Sequence, residues 1–502
     1  MEKKLKDILS VCSYERFEGS GEQVVTDITA DSRAVQKGSL FICLDGAHVD
    51  GHRFAASAVE KGAAAVIASK PLALPEGTAV IYVKDTRKAM EQVTPYFYDY
   101  PAGKMRMIAV TGTNGKTTTS HITAHILHHA GYKTGVIGTI HMLIGDQEYP
   151  THNTTPDVVD LEKMLYAMTQ AGVTHVCMEV SSHALVMGRV EGIEFDNVSF
   201  TNLTEDHLDY HKTMDNYAAA KAILFKKASA PGQKKGNKSA HINIDVPYAD
   251  VMEAAVGDRS ICPVYTYSID QPSDLKASHI EFNTSSSVFS VEYQGKSYQV
   301  QTHLAGRFNV YNVLCAMSAA LSEGISMEEV IAALADFHSV PGRFELINEG
   351  QPFTVVVDYA HTPDGLENIL KTAQEIKRGR IISVFGCGGD RDKMKRPIMG
   401  RIGARYSDVV IVTSDNPRTE DPDVIVSEVA AGVEEVAREK PSFHYEIMVN
   451  RREAIRRAIA LAKPGDMVMI AGKGHENYQI LKDRTIHFDD REEARKAIRG
   501  EE

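Results

Sequence analysis

MIAVTGTNGKTTTSHITAHILHHAG, residues 107–131, is the stretch whose reading decides the fold. It opens as an apolar strand, turns through Gly112 and Gly115, and runs on as a long helix. Strand, glycine-containing turn and helix in that order form a cradle for phosphate. Glycines let backbone N–H groups face the anion, the helix N-terminus adds positive potential, and Lys116 adds a point charge. Thr117 follows where a hydroxyl can ligate Mg²⁺. The generic phosphate-loop pattern wants glycine five residues before Gly115; Val110 stands there, and Gly112 comes early. The generic pattern is therefore only partly met, but the order of elements supports nucleotide binding.

Outward from this loop, the alternation of strand and helix continues. KTGVIGT (133–139) and VCMEV (176–180) read as further strands, the pattern of a doubly wound parallel sheet. Upstream, GSLFICL (38–44), AAAVIAS (63–69) and AVIYV (79–83) suit a small α/β unit. Downstream, FTVVVDYA, RIISVFG, SDVVIVTSDN and DMVMIAGKG repeat the alternation. Pro101-Ala102-Gly103 and Pro341-Gly342 offer joints. The chain of 502 residues is thus expected to form three domains, residues 1–102, 103–340 and 341–502. Between 231 and 300 the sequence is irregular and polar in places, with QKKGNKSAH and SIDQPSDLK expected as surface loops.

Composition narrows the function. A formal charge of −12 argues against a nucleic-acid partner, whose affinity rests on basic surface. The six cysteines show no paired spacing, which suits a reducing compartment and gives no zinc signature. The start, MEKKLKDILS, lacks a signal-peptide core, and no apolar run reaches the ~18 residues of a membrane span. A cytoplasmic protein, without membrane attachment and acting as a monomer, is expected.

The motif TGTNGKTTT closely resembles the phosphate loop of the Mur ligase family. The resemblance extends along the chain through DSR (31–33), NTTP (153–156), EVSSHAL (179–185), TNLTEDHLDYH (201–211), YAAAK (217–221), GRFNVYN (306–312), PGRFE (341–345), DYAHTPD (358–364), GCGGDRDKMKRP (386–397), DNPR (415–418) and GKGHE (472–476). It implies an α/β fold of three domains: a small N-terminal α/β domain, a central P-loop mononucleotide-binding doubly wound sheet, and a C-terminal Rossmann-like domain. It also implies an ADP-forming ligase that uses ATP and Mg²⁺ to couple meso-2,6-diaminopimelate to the D-glutamate γ-carboxylate of UDP-N-acetylmuramoyl-L-alanyl-D-glutamate, through an acyl phosphate.

By the same resemblance, Thr111, Gly112, Thr113, Asn114, Gly115, Lys116 and Thr117 hold the phosphates, while Asn309, Asn312 and Asp358 complete the ATP site. Lys116, Lys221, His207 and Arg343 are the catalytic set; an arginine from a neighbouring element can stabilise a transferring phosphoryl group. Thr117, Glu179, His207 and Lys221, the last as a CO₂-derived carbamate, are the implied metal ligands. Read from its neighbours alone, Lys221 in the Ala-rich stretch NYAAAKAILF is a solvated surface lysine. Mg²⁺ prefers oxygen, so His207 enters only through the resemblance. Ser32, Asn153, Thr154, Thr155, Ser181 and Arg189 are the implied contacts of the UDP-muramoyl dipeptide.

DNPR discriminates the amino acid added. Diaminopimelate resembles lysine with an extra carboxylate at its far end, so a selective site needs a forked cation. Arg418 and Arg391 can supply it, with Asp415, Asn416, Pro417, Gly472 and Glu476 around the ammonium. Lysine would leave a partly buried arginine unpaired, and the family resemblance implies that lysine-adding relatives lack it. That motif argues against a lysine-adding ligase, and the block before the phosphate loop against a folylpolyglutamate synthetase. A nucleotide-binding regulator would need none of the amino-acid-site residues.

Overall fold

The computed structural model describes residues 1–501 apart from 47, 48, 146, 152, 233, 235, 441 and 442. Three sheets organise the chain. The first unit carries five strands in the order 16–18, 80–82, 65–68, 39–42 and 27–29, parallel except for the first. The apolar runs at 38–44, 63–69 and 79–83 supply its centre.

The central sheet has eleven strands. Its middle is parallel: Thr134–Ile137, His175–Glu179, Arg106–Thr111, Asn197–Phe200, Ser239–Asn243 and Val264–Ser268 lie side by side. Separate apolar clusters cover its two faces, one around Met107, Ala109 and Phe200, the other around Ile108, Ile122 and Leu314. Successive residues of one strand, such as Met107 and Ile108, feed opposite cores, as the pleat requires. Burial on both faces explains why Arg106–Thr111 and His175–Glu179 carry near-continuous apolar runs at their centres.

The expectation of irregular structure between 231 and 300 is corrected. Strands at Ser239–Asn243, Val264–Ser268, Leu275–Phe282, Ser287–Tyr293 and Lys296–Thr302 extend the sheet to its edge. Only one face of the outer strands is buried, with Ser287, Phe289 and Val291 inward and Glu292 exposed. Their average hydrophobicity is therefore low. SIDQPSDLK does make the turn between two of them; QKKGNKSAH lies partly outside the described residues.

The third unit holds six strands in the order 345–346, 354–358, 467–471, 381–385, 409–412 and 444–447, parallel except for the first. Helices cover both faces, again with two cores. Among the described residues no helix is long and apolar enough to cross a membrane.

In open parallel sheets, ligands gather at the carboxyl ends of strands. Glu179 and the phosphate loop stand at such ends in the central sheet. Asp358, Gly386, Asp415 and Gly472 stand at or just beyond them in the C-terminal sheet. Residues from both edges line one cavity of about 340 Å³, including Lys116, Glu179 and Asn312 on one side and Arg343, Asp358 and His361 on the other.

Candidate active site between the central and C-terminal sheets

The strand Arg106–Thr111 ends in the glycine turn, and the helix Lys116–His129 begins directly after it. Gly115 has φ +86°, a left-handed conformation that favours glycine. A Cβ there would lie 2.3 Å from Asn312 Oδ1. The loop is held from the next strand end: Thr113 N–H donates to the Asn202 carbonyl at 2.9 Å, and Asn114 N–H to Asn202 Oδ1 at 2.9 Å. Thr201 Oγ1 donates to the Asn114 carbonyl at 2.6 Å. Thr111 is buried at the strand end.

Two ammonium groups converge on one carbonyl. Lys116 Nζ donates to the carbonyls of Gly112 and Thr113 at 2.9 and 2.8 Å, and Lys221 Nζ donates to Gly112 at 2.7 Å. Lys221 is 1% exposed, 4.5 Å from the Tyr217 ring centroid. Burial, then the charge of Lys116, holds its pKa well below the ordinary lysine range, against the pull of Asp206. The surface assignment drawn from its neighbours is thus overturned: the helix Met214–Ser229 turns Ala218, Lys221, Ala222 and Phe225 inward together. Burial also lowers Lys116, with Glu179 and Asp206 opposing.

Glu179 is 1% exposed. Its Oε2 accepts from Thr117 Oγ1 at 3.1 Å and Thr139 Oγ1 at 3.0 Å, and its Oε1 from Thr139 N–H at 2.8 Å. A carboxylate beside two hydroxyls suits Mg²⁺, which commonly takes one or two carboxylates and shares the rest of its shell with phosphates and water. Among the described residues no group of three or more His, Cys, Asp or Glu forms a fuller cage. The donors therefore fit an ion that arrives with nucleotide. His207 adopts φ +54°, 3.5 Å from Asp206 and edge-on to His183, and burial lowers its pKa.

Arg343 reaches across from the joint to the phosphate loop. Its Nη2 donates to Thr117 Oγ1 at 3.1 Å, and its guanidinium lies 4.6 Å from the Tyr359 ring centroid. Asp358 is occupied locally, accepting Phe344 N–H at 2.6 Å and Ala360 N–H at 2.7 Å. Burial raises its pKa. Asn309 and Asn312 are buried and joined, Asn312 Nδ2 donating to Asn309 Oδ1 at 3.1 Å. A second cross-sheet link, absent from the expected set, runs through Asp364: its Oδ2 accepts from Asn114 Nδ2 at 2.6 Å and Thr204 Oγ1 at 2.9 Å.

Most of the expected dipeptide contacts cluster beside Glu179. Thr154 and Thr139 hydroxyls are 3.0 Å apart, Thr155 Oγ1 donates to the Glu179 carbonyl, and Ser181 N–H donates to Thr155 Oγ1. Arg189 Nη1 donates to the Thr155 carbonyl at 3.0 Å, while its buried Nε has no partner among the described residues. Asn153 is exposed. Ser32 stands apart in the first unit, its carbonyl accepting Lys61 Nζ.

The DNPR segment follows the strand Val409–Val412 and faces Gly472 at the end of Met467–Ala471. Asp415 and Asn416 are buried, Pro417 is buried, and Arg418 takes φ +51° with Nη1 donating to the Gly389 carbonyl at 2.9 Å. Asn416 Nδ2 donates to Glu476 Oε2 at 2.9 Å. Arg391 is exposed and donates to the Asp390 carbonyl. Arg391 and Arg418, the two arginines expected at the far carboxylate, thus donate to the neighbouring carbonyls of Asp390 and Gly389. The fully buried Lys473, which the sequence reading passed over within GKGHE, sits among Asp415, Asn416 and Glu476. A lysine between two glycines at a strand end was the available signal.

Residues 24–98, 110–320 and 342–474 match the Mur ligase family's catalytic, middle and glutamate ligase domains respectively. The chain is 46% identical over 476 residues to the UDP-N-acetylmuramoyl-L-alanyl-D-glutamate–2,6-diaminopimelate ligase of Bacillus cereus, covering 95% of this chain and 94% of the other. It is 45% identical to the ligase of the same name from Syntrophomonas wolfei, with 99% of each covered. A solved structure of a ligase with that name aligns at a TM-score of 0.69 and 33% identity, covering 100% of this chain and 99% of the other.

Proposed function

This chain belongs to the Mur ligase family, and on that premise we propose that it is the ATP-dependent, ADP-forming ligase that joins meso-2,6-diaminopimelate to UDP-N-acetylmuramoyl-L-alanyl-D-glutamate in peptidoglycan precursor synthesis. The observation that carries this is the meeting of two strand edges. A phosphate loop and an oxygen-rich acidic site face Asp358, Tyr359 and His361 of the C-terminal unit across one cavity, bridged by Arg343, and the same C-terminal sheet presents the DNPR segment and Gly472 at its strand ends. Residues 1–102 receive the UDP moiety, 103–340 hold ATP and 341–502 hold the amino acid.

The γ-carboxylate of the substrate's D-glutamate takes the terminal phosphoryl group, giving an acyl phosphate and ADP. Both reactants are anions, so the step needs neutralisation more than covalent help. Lys116, released from its loop carbonyls by phosphate, and Arg343, freed from Thr117, supply it from opposite sides. Magnesium, when bound at Glu179 and Thr117 with His207 beside them, supplies further charge neutralisation at the phosphates. The amine of diaminopimelate then attacks the carbonyl carbon, and the tetrahedral intermediate expels phosphate. Holding the amine in line is the work of the DNPR and GKGHE segments.

Lys221 is proposed to carry a carbamate. Its burial favours the neutral amine, whose lone pair forms the N–C bond to CO₂ as a proton leaves. A carbamate would turn a second cation on the Gly112 carbonyl into an anionic oxygen donor. Bicarbonate dependence of activity, together with a carbamate carbon signal lost in Lys221→Ala, tests this. A monomer accords with the reading, because one chain supplies every expected residue of the site, and a cytoplasmic location is proposed with it.

The deciding experiment is phosphate release by purified protein, requiring the UDP-linked dipeptide and diaminopimelate together. Release with nucleotide alone would favour a regulator. Arg418→Ala should lower kcat/KM for diaminopimelate by about a hundredfold or more, because a site that pairs a buried polar group rejects its absence strongly. ATP affinity should not change. Retained turnover would remove Arg418 from the pocket.

A further inference from the structure

Lys473 is not among the residues expected to contact a substrate, yet its side chain is completely buried amid those that are. Its Nζ lies 3.1 Å from Asn416 Oδ1, 3.2 Å from Glu476 Oε2 and 3.8 Å from Asp415 Oδ1, and 5.6 Å from the Tyr478 ring centroid. A buried ammonium is costly unless paired, and these acceptors are the ones expected to meet the incoming amino acid. Nearby Arg451 also feels Asp415 and Glu476, but Asp490 binds it through two bonds of 2.7 Å, so that pair is neutral as a unit.

The local charges sum simply. Asp415 and Glu476 contribute two negatives; Lys473 and Arg418 contribute two positives. We propose that Lys473 is a positioning residue that sets the formal charge of this pocket to zero, so that it selects an amino acid whose far end is zwitterionic over one whose far end is a lone ammonium. The inference rests on the diaminopimelate reading and deepens it. Arg418 offers the far carboxylate a direct partner, whereas Lys473 acts at one remove, through Asn416 and Glu476. It keeps those acceptors from forming an anionic trap for any diamine-like head. Without Lys473 the pocket becomes net negative, and a terminal ammonium such as that of lysine gains relative to diaminopimelate. Without the charge of Glu476 the pocket becomes net positive, and the lone ammonium loses.

The two changes therefore move selectivity in opposite directions, which loss of packing alone would not do. The ratio of kcat/KM for diaminopimelate to that for lysine is measured in wild type, Lys473→Gln and Glu476→Gln, with ATP affinity and thermal melting alongside. Lys473→Gln should lower the ratio about tenfold or more, since one buried charge contact commonly decides a tenfold preference, mainly through KM for diaminopimelate. Glu476→Gln should raise it. Equal ratios in all three proteins, or movement in one direction for both variants, would overturn the proposal. If Lys473→Gln does not fold, Glu476→Gln decides alone, and a ratio that fails to rise is fatal. A wild-type protein that couples neither amino acid would instead sink the ligase reading, and the charge balance with it.

Discussion

Gly115 carries two constraints at once, and each disfavours a side chain. Its φ of +86° costs an L-residue about 1–2 kcal/mol, and a Cβ would meet Asn312 Oδ1 at 2.3 Å. Gly115→Ala should therefore displace either the loop or Asn312. We expect ATP affinity to fall at least about tenfold, given strain of this size at the helix N-terminus, in a titration with a fluorescent ATP analogue. An unchanged Kd would mean that phosphate does not sit in this turn. The loop was legible because its chemistry dictates its spacing. Lys221 was not legible from its neighbours: alanines on both sides fit a surface helix as well as a buried one, and only the fold decides which face turns inward. Lys473 was passed over for a related reason. A lysine reads as surface until Asp415 and Asn416 are brought to it from a distant segment and Glu476 turns back on it from three residues away.

At the scale of elements, apolar strands buried on both faces announced themselves, and the half-exposed strands between 275 and 302 did not. The helix Val158–Gln170 shows what else sequence periodicity hides. Val158 and Val159 join the core of the first unit, while Leu161 and Leu165 belong to the central one, so this helix couples two domains. On it, Glu162 is 2% exposed, its Oε2 lacks a partner among the described residues, and burial pushes its pKa up to about 8 from 4.5. The sign follows directly. Between those values the unfolded chain has released this proton and the folded chain retains it, so the favourable contribution, complete below pH 4.5, is lost as pH rises through about 8. Glu162→Gln has no proton to lose. Relative to wild type the variant should gain up to a few kcal/mol between about pH 5 and pH 8.5, measured by urea unfolding. Parallel pH profiles would show that the carboxyl is already ionised in the folded protein.

Across the whole molecule, the reaction needs the central and C-terminal sheets to present their edges to one substrate at one time. Two observed contacts hold them so: Arg343 to Thr117, and Asp364 to both Asn114 and Thr204. Both end on the phosphate loop or its neighbour, so closure and nucleotide occupancy bear on the same atoms. Arg343 is expected to change partners during turnover, whereas Asp364, in the first turn of the helix Pro363–Ile376, is placed to hold the joint throughout. Burial raises its pKa, but its bonds to Thr204 and Asn368 oppose that shift, as they would for a working carboxylate. Hydrogen bonds to a charged group contribute about 1.5–3 kcal/mol each, so losing two shifts an open–closed equilibrium by at least about tenfold. Asp364→Ala should accordingly enlarge the radius of gyration of the ATP-free protein in small-angle scattering. It should also lower kcat more than it raises KM for ATP, because the loop itself remains intact. Scattering and kcat that both match wild type would mean that Arg343 and the substrates close the molecule without this latch.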